Sequence, residues 1–317
     1  MTMTVMGSER VSIKINRYYE EKLIHQKKHK AVVIFVHGMA EHSGRYEDIA
    51  HLLMKHQYIV FTYDQRGHGK SLLPGEKKGY LGTDGFNKMV LDLHEMVNPA
   101  KYEFPNTPIY LFGHSMGSFV VQRYLQRFRD IDGIILMGVG YQPKGLSLGI
   151  FIAKRMIRRG NGKKAGMMIH RMLNRMYNFR MRPRKTDFDW LNRDLSEVQE
   201  YIHDPDCGFP MSYQFYYDFF TAIKKVHQPK NLSKTPKNLP ILMMSGSDDP
   251  VGNMGRAIRK LHKLYRQYTH QADVKVYDEA RHELLHELDK DRVYRDLLDW
   301  LEKQQNKYLF HREDKAE

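Results

Sequence analysis

Apolar residues gather into seven short runs, at 11–17, 31–36, 58–63, 108–112, 133–138, 240–245 and 273–277, and each run predicts a strand. Helical patterns sit between most of them. The last, from Asp291 to Leu301, carries apolar residues at 293, 294, 297, 298 and 301, a stripe that covers one face of a sheet. Strands alternating with helices predict an α/β fold with a mostly parallel central sheet and helices on both faces. The interval between the run at 133–138 and the run at 240–245 is too long for one crossover and predicts an inserted segment.

The chemistry sits at the ends of these runs. Ile109-Tyr110-Leu111-Phe112 opens directly into Gly113-His114-Ser115-Met116-Gly117, a G-x-S-x-G pentapeptide followed by a helix-like stretch from Phe119 to Leu125. Strand, tight turn and helix make a nucleophile elbow, in which flanking glycines let strand and helix approach closely and the serine oxygen is presented to substrate. A nucleophilic serine needs a base, an acid that orients it, and donors for the oxyanion. Ile241-Leu242-Met243-Met244 leads into Ser245-Gly246-Ser247-Asp248-Asp249-Pro250-Val251, which places two carboxylates after a strand. Val274-Lys275-Val276-Tyr277 leads into Asp278-Glu279-Ala280-Arg281-His282. The order Ser, Asp, His is the one expected at the carboxyl ends of successive strands in an α/β-hydrolase sheet. The oxyanion donors in that architecture are the N–H of the residue after the nucleophile, Met116, and one from an earlier loop. Val32-Val33-Ile34-Phe35-Val36 opens into His37-Gly38-Met39-Ala40-Glu41, where the Met39 N–H just past the glycine is the natural candidate.

With these segments in place the chain resembles the monoacylglycerol lipase and lysophospholipase branch of the serine α/β-hydrolases. Four stretches carry the resemblance: His37 to Tyr46, Tyr63 to Ser71, the serine elbow, and Ala280 to Leu285. Together they span most of the chain. The resemblance implies Ser115 as nucleophile, His282 as base, Met39 and Met116 as oxyanion donors, and Asp249 as the acid, because the Gly-x-x-Asp spacing from Gly246 selects it over Asp248. It implies a helical cap in the long interval, so that 1–140 and 236–317 form the core and 141–235 a helical, basic insertion. No metal or cofactor is required. The substrate expected is a single-chain lipid ester, with small soluble esters as the alternative. Hydrolase folds reused only for binding usually lack a triad member, and none is missing here.

Length and composition agree: 317 residues, 41% hydrophobic, suit one α/β core with an insertion. Charge adds a distinct feature. Residues 144–186 hold 13 Lys and Arg and no Asp or Glu, against +14 for the whole chain, which leaves +1 elsewhere. Apolar residues interleave at helical spacing, Ile150, Phe151, Ala153, Met156 and Ile157 in one stretch and Met168, Ile169, Met172, Leu173 and Met176 in the next. Lys154, Arg155, Arg158, Arg159, Arg171 and Arg175 fall between them. A Met-rich apolar face with a cationic border suits an anionic lipid surface, and a solvated face packed on the body is the plainer alternative. No nucleic-acid module accompanies the charge, so nucleic acid is not expected as a partner.

A second motif points to other chemistry. His282-Glu283-Leu284-Leu285-His286 fits H-E-x-x-H, which binds zinc when both histidines share a helix face, with Glu287 or Glu302 as a third ligand. It begins only five residues past a strand end, which leaves little room for a preceding helix. His37 and His114 read as structural supports, and Asp64, Arg66 and His68 as a loop that hydrogen-bonds itself and braces the oxyanion turn. Cys207, the single cysteine, excludes a disulfide framework and fits a reducing compartment. The first ten residues show no secretory pattern, and no apolar run approaches the roughly 20 residues of a membrane span. A soluble, cytoplasmic chain is expected, peripheral to membranes at most, with a frayed charged tail at 311–317.

Overall fold

The computed structural model describes residues 2–26, 28–142 and 145–313. Eight strands form one sheet: β1 (Thr2–Met6), β2 (Ser12–Tyr18), β3 (Val32–Val36), β4 (Ile59–Tyr63), β5 (Ile109–His114), β6 (Gly133–Met137), β7 (Ile241–Gly246) and β8 (Ala272–Tyr277). Their order is β1-β2-β4-β3-β5-β6-β7-β8. The pairs β1–β2 and β2–β4 are antiparallel, and every pair from β4 to β8 is parallel. All seven expected strands form within a residue or two. β1 was not expected. Its signal is the alternation of threonines with apolar residues, half-buried at Met3 and Val5, on an edge strand paired with β2 alone.

The central strands are apolar throughout because both faces are covered. Val32, Ile34 and Val36 of β3 enter one core, and Val33 and Phe35 enter the other. Helices α1 (Glu21–His25), α2 (Glu47–Lys55), α3 (Gly85–Glu103) and α4 (Met116–Leu125) precede the insertion. Helices α5 (Leu146–Arg158), α6 (Met167–Asn178), α7 (Leu195–His203), α8 (Tyr213–Val226) and α9 (Pro229–Leu232) fill the interval between β6 and β7, and α10 (Arg256–Tyr265) and α11 (Lys290–Glu313) complete the chain. Residues of α3, α4, α8 and α10 build the first core, while Ile49 and Leu53 of α2 and Val293, Leu297 and Trp300 of α11 build the second. Each fully buried Leu, Ile or Val contributes about 1.5–3 kcal/mol.

α11 runs beyond the expected stripe. Tyr308 Oη donates to the Asn106 carbonyl (2.8 Å) and Lys307 Nζ to Gln271 Oε1 (2.9 Å). These tethers carry the helix through residues where a frayed tail was expected, and 314–317 lie outside the described residues.

Within the insertion α5 lies against α8. A side chain at Gly149 would come within 2.6 Å of the Phe220 ring, so the glycine sets the approach. The apolar positions of α5 and α6 divide. Ala153 and Ile169 are buried, whereas Leu148, Phe151, Met168, Met172 and Met176 are exposed. The basic residues between them are exposed as well, apart from Lys144, which lies outside the described residues.

Candidate active site

At the end of β5 the backbone turns sharply through Ser115, with φ 49° and ψ −114°, and Met116 begins α4. A non-glycine residue there is strained by about 1–3 kcal/mol. The turn is held by the Ser115 N–H donating to the Met137 carbonyl of β6 (2.9 Å) and by the Ser118 hydroxyl donating to the Ser115 carbonyl (2.6 Å). Two glycines make it possible. A side chain at Gly117 would lie 2.0 Å from the Val36 carbonyl, and one at Gly113 would lie 2.6 Å from the Gly117 carbonyl.

The loops after β7 and β8 touch at Gly246, where an added side chain would come within 1.9 Å of the Ala280 carbonyl. That contact brings Asp249 beside His282. Asp249 Oδ1 lies 3.0 Å from His282 Nδ1 and accepts from the Val251 N–H (2.9 Å). Both residues are buried. Asp248 is turned away, accepting from its neighbour Ser247 at 3.2 Å. Burial acts to lower the His282 pKa, and the Asp249 carboxylate, by charge and hydrogen bond, outweighs it, so the imidazole sits above its ordinary 6.5.

The turn after β3 is fixed by a buried acid that the sequence reading did not single out. Glu41 Oε1 accepts from the Gly38 N–H and from Tyr46 Oη (2.9 Å), and lies 2.9 Å from His114 Nδ1. Arg45 reaches Glu41 Oε2 at 3.1 Å and grips Glu283, beside His282, through two bonds of 2.5 and 2.9 Å. Burial acts to raise the pKa of both acids, and His114 with Arg45 for Glu41, and Arg45 for Glu283, hold them below the usual carboxylate range. The one advance signal was the i, i+4 spacing of Glu41 and Arg45. Among the described residues nothing accepts from the Met39 N–H.

The loop from Tyr63 to Ser71 braces this turn. The Gln65 N–H donates to His37 Nε2 (2.9 Å) and its side-chain amide to the His37 carbonyl (2.7 Å). Asp64 accepts from the Ser43 N–H and hydroxyl and from the Lys70 N–H. Arg66 is buried against Asp92.

Ser115, His282, Met39 and Met116 line one cavity. Its walls are mostly apolar, with Phe119, Phe219, Phe220 and Ile223 inside and Leu148, Met172 and Met176 at exposed positions. Met172 and Met176 also line a shallow groove on the outer side of α6, together with Arg171 and Arg175. The inner cavity and the outer surface therefore share two side chains.

The zinc motif does not assemble. His282 and Glu283 lie outside any helix, only Leu284–His286 form a single 3-10 turn, and His286 Nδ1 lies 3.3 Å from Glu197. His286 is thus a partly buried contact of Glu197. Among the described residues one cluster, His42, Asp204 and Cys207, brings three donor atoms within 4.8 Å of one another. It is a poor cation site. His42 Nδ1 accepts from the Gly44 N–H (3.1 Å), which puts the ring proton on Nε2, where it is donated to Asp204 (2.8 Å), and burial pushes the Cys207 thiol up.

The fold and this site define a serine ester hydrolase of the α/β-hydrolase class. A family model described as serine aminopeptidase, S33, matches residues 27–289, and the chain belongs to that family. It is similar to a monoglyceride lipase homolog of Monkeypox virus, 27% identical over 278 residues, 86% of this chain and 89% of that protein. A probable lysophospholipase of Haemophilus influenzae is 26% identical over 275 residues, 85% and 82% of the two chains. The crystal structure of a thermostable carboxyl esterase from Bacillus coagulans, in complex with glycerol, superposes with a TM-score of 0.89 at 25% identity, covering 96% of this chain and 98% of that one.

Proposed function

We propose that this chain hydrolyses single-chain lipid esters, monoacylglycerols or lysophospholipids, through a Ser115-Asp249-His282 triad. The observation that carries the reading is the mostly apolar cavity that Ser115 and His282 line together, with Asp249 hydrogen-bonded to the far side of the imidazole. Asp249 keeps the His282 proton on Nδ1, which leaves Nε2 to take the proton of Ser115 as its oxygen attacks the ester carbonyl. The Met39 and Met116 N–H groups receive the oxyanion. His282 then protonates the leaving alcohol, and water activated by the same base releases the fatty acid. Residues 141–235 act as a cap, and the basic, Met-rich outer side of α5 and α6 docks on an anionic lipid surface. No described helix is long and apolar enough to cross a membrane, which is compatible with peripheral contact. The single buried cysteine fits a cytoplasmic setting.

The test is fatty-acid release from a monoacylglycerol and a lysophospholipid of one acyl chain, with Ser115→Ala as the blank. Ser115→Ala should cut turnover by several orders of magnitude, on the scale of roughly a millionfold. A variant keeping a tenth of the activity defeats the proposal. Faster release from monoacylglycerol marks a neutral glyceride lipase, and faster release from the lysophospholipid marks a cap that reads phosphate.

A further inference from the structure

Asp249 is not the only group that holds His282. Residues 187–193, between α6 and α7, run along the loop that carries the histidine and are fastened to it on both sides. Arg281 Nη1 donates to the carbonyls of Asp189 (2.6 Å) and Asn192 (2.8 Å), and the Glu283 N–H donates to the Leu191 carbonyl (2.9 Å). Glu287, buried, accepts from the main-chain N–H groups of Arg281 (2.8 Å) and Arg193 (3.2 Å) and pairs with Arg193 Nε (2.9 Å). Asn178, at the end of α6, accepts from the main-chain N–H of Trp190 (3.2 Å) and donates to the Asp187 carbonyl.

This strap presents an indole to the imidazole. The Trp190 ring centroid lies 5.1 Å from that of His282, with the planes at 45°, and 4.8 Å from Tyr177, at 47°. The indole Nε1 is buried and has no hydrogen-bond partner among the described residues. A buried indole N–H ordinarily finds one. Ring contact, and not a side-chain hydrogen bond, therefore sets the placement of the indole. Elsewhere the imidazole meets the His114 ring at 5.0 Å and Gly138, where an added side chain would come within 2.9 Å of His282 Cε1.

We infer that Trp190 is a positioning residue, which holds the His282 imidazole against Asp249 through the strap at 187–193. The inference rests on the base role proposed for His282. Without the indole the ring can rotate away from a carboxylate that the Val251 N–H keeps in place, and water can enter beside the pair. Small misplacement of a catalytic group is enough to cost up to about a hundredfold in rate.

The experiment compares Trp190→Ala, Trp190→Phe and Arg281→Gln with the wild type. It reads kcat, KM and the downfield proton resonance of the His282 Nδ1–H, with thermal melting as a control for folding. Trp190→Ala should lower kcat at least about tenfold with KM within about twofold, and broaden or abolish the resonance. Trp190→Phe should recover most of kcat and a sharp resonance, because no hydrogen bond is lost. Arg281→Gln, which loosens the strap without touching the imidazole, should shift both readouts in the direction of Trp190→Ala. A raised KM at unchanged kcat, or an unaltered resonance, would make Trp190 a cavity wall only and overturn the inference. Should Trp190→Ala not fold, an unaltered resonance in Arg281→Gln overturns it equally. Asp249→Asn is run alongside: a resonance that survives there removes the triad reading itself, a failure separate from that of the strap.

Discussion

Ser115 and His282 divide the work of the site between backbone strain and burial. The strained turn at Ser115 is stabilised by neighbouring strands and glycines, and the imidazole is tuned chiefly by the Asp249 carboxylate, with Glu283 and Glu41 acting in the same direction. The base proposed, His282, would act only when neutral, and its pKa lies above 6.5 because Asp249 outweighs burial. Wild-type activity should therefore fall on acidification through a value above pH 6.5. Asp249→Asn removes the charge, so the acid limb of the pH–rate profile should move to lower pH while turnover drops by roughly ten-thousandfold. Asp248→Asn should leave both nearly unchanged, since among the described residues that side chain accepts only from Ser247. A larger loss at Asp248 would reverse the assignment. At this scale the sequence was informative wherever a function depends on neighbours along the chain. The elbow shows its glycines two residues either side of the serine, and the carboxylate pair follows its strand directly. Trp190 was silent, and Glu41 gave only its spacing with Arg45, for a different reason: their partners His282 and His114 lie far away in sequence, and only folding brings them together.

Strands and helices were legible to within a few residues where an element is buried on both sides. β3 is a continuous apolar run, and β7 opens on one, Ile241 to Met244. β1 was missed because a short edge strand is only half-buried on one face, and the end of α11 because its length is set by tertiary tethers. One of the contacts that join the insertion to the body carries a titrating carboxyl. Asp218 of α8 accepts from the Gly85 N–H at the start of α3 (3.0 Å) and from Gln214 (3.0 Å), and burial raises its pKa to about 6. A carboxyl raised in the folded state stabilises the protein below its unfolded value of 3.8, and this contribution is lost as pH rises through about 6. Asp218→Asn keeps an acceptor for Gly85 and cannot ionise. Its melting temperature relative to wild type should thus be higher at pH 8 than at pH 4. An equal difference at both pH values would mean that Asp218 is ionised at no cost.

The whole molecule carries its excess charge on one part. The net +14 belongs almost entirely to 144–186, a pattern that acts on surfaces and leaves the sheet untouched. Each Lys or Arg held near an anionic membrane contributes about 1 kcal/mol, and salt screens the effect. The protein should sediment with phosphatidylglycerol vesicles at low salt, far less with phosphatidylcholine alone, and be released as salt is raised. Equal retention on both vesicles would rule out the docking face.

Met172 and Met176 belong at once to the outer groove and to the inner cavity. If the outer side rests on lipid, the first side chains that a substrate meets on leaving the bilayer are already part of the wall of the reaction chamber. Adsorption and loading then become a single event, and an acyl chain passes from one oily surface to the next without crossing open water.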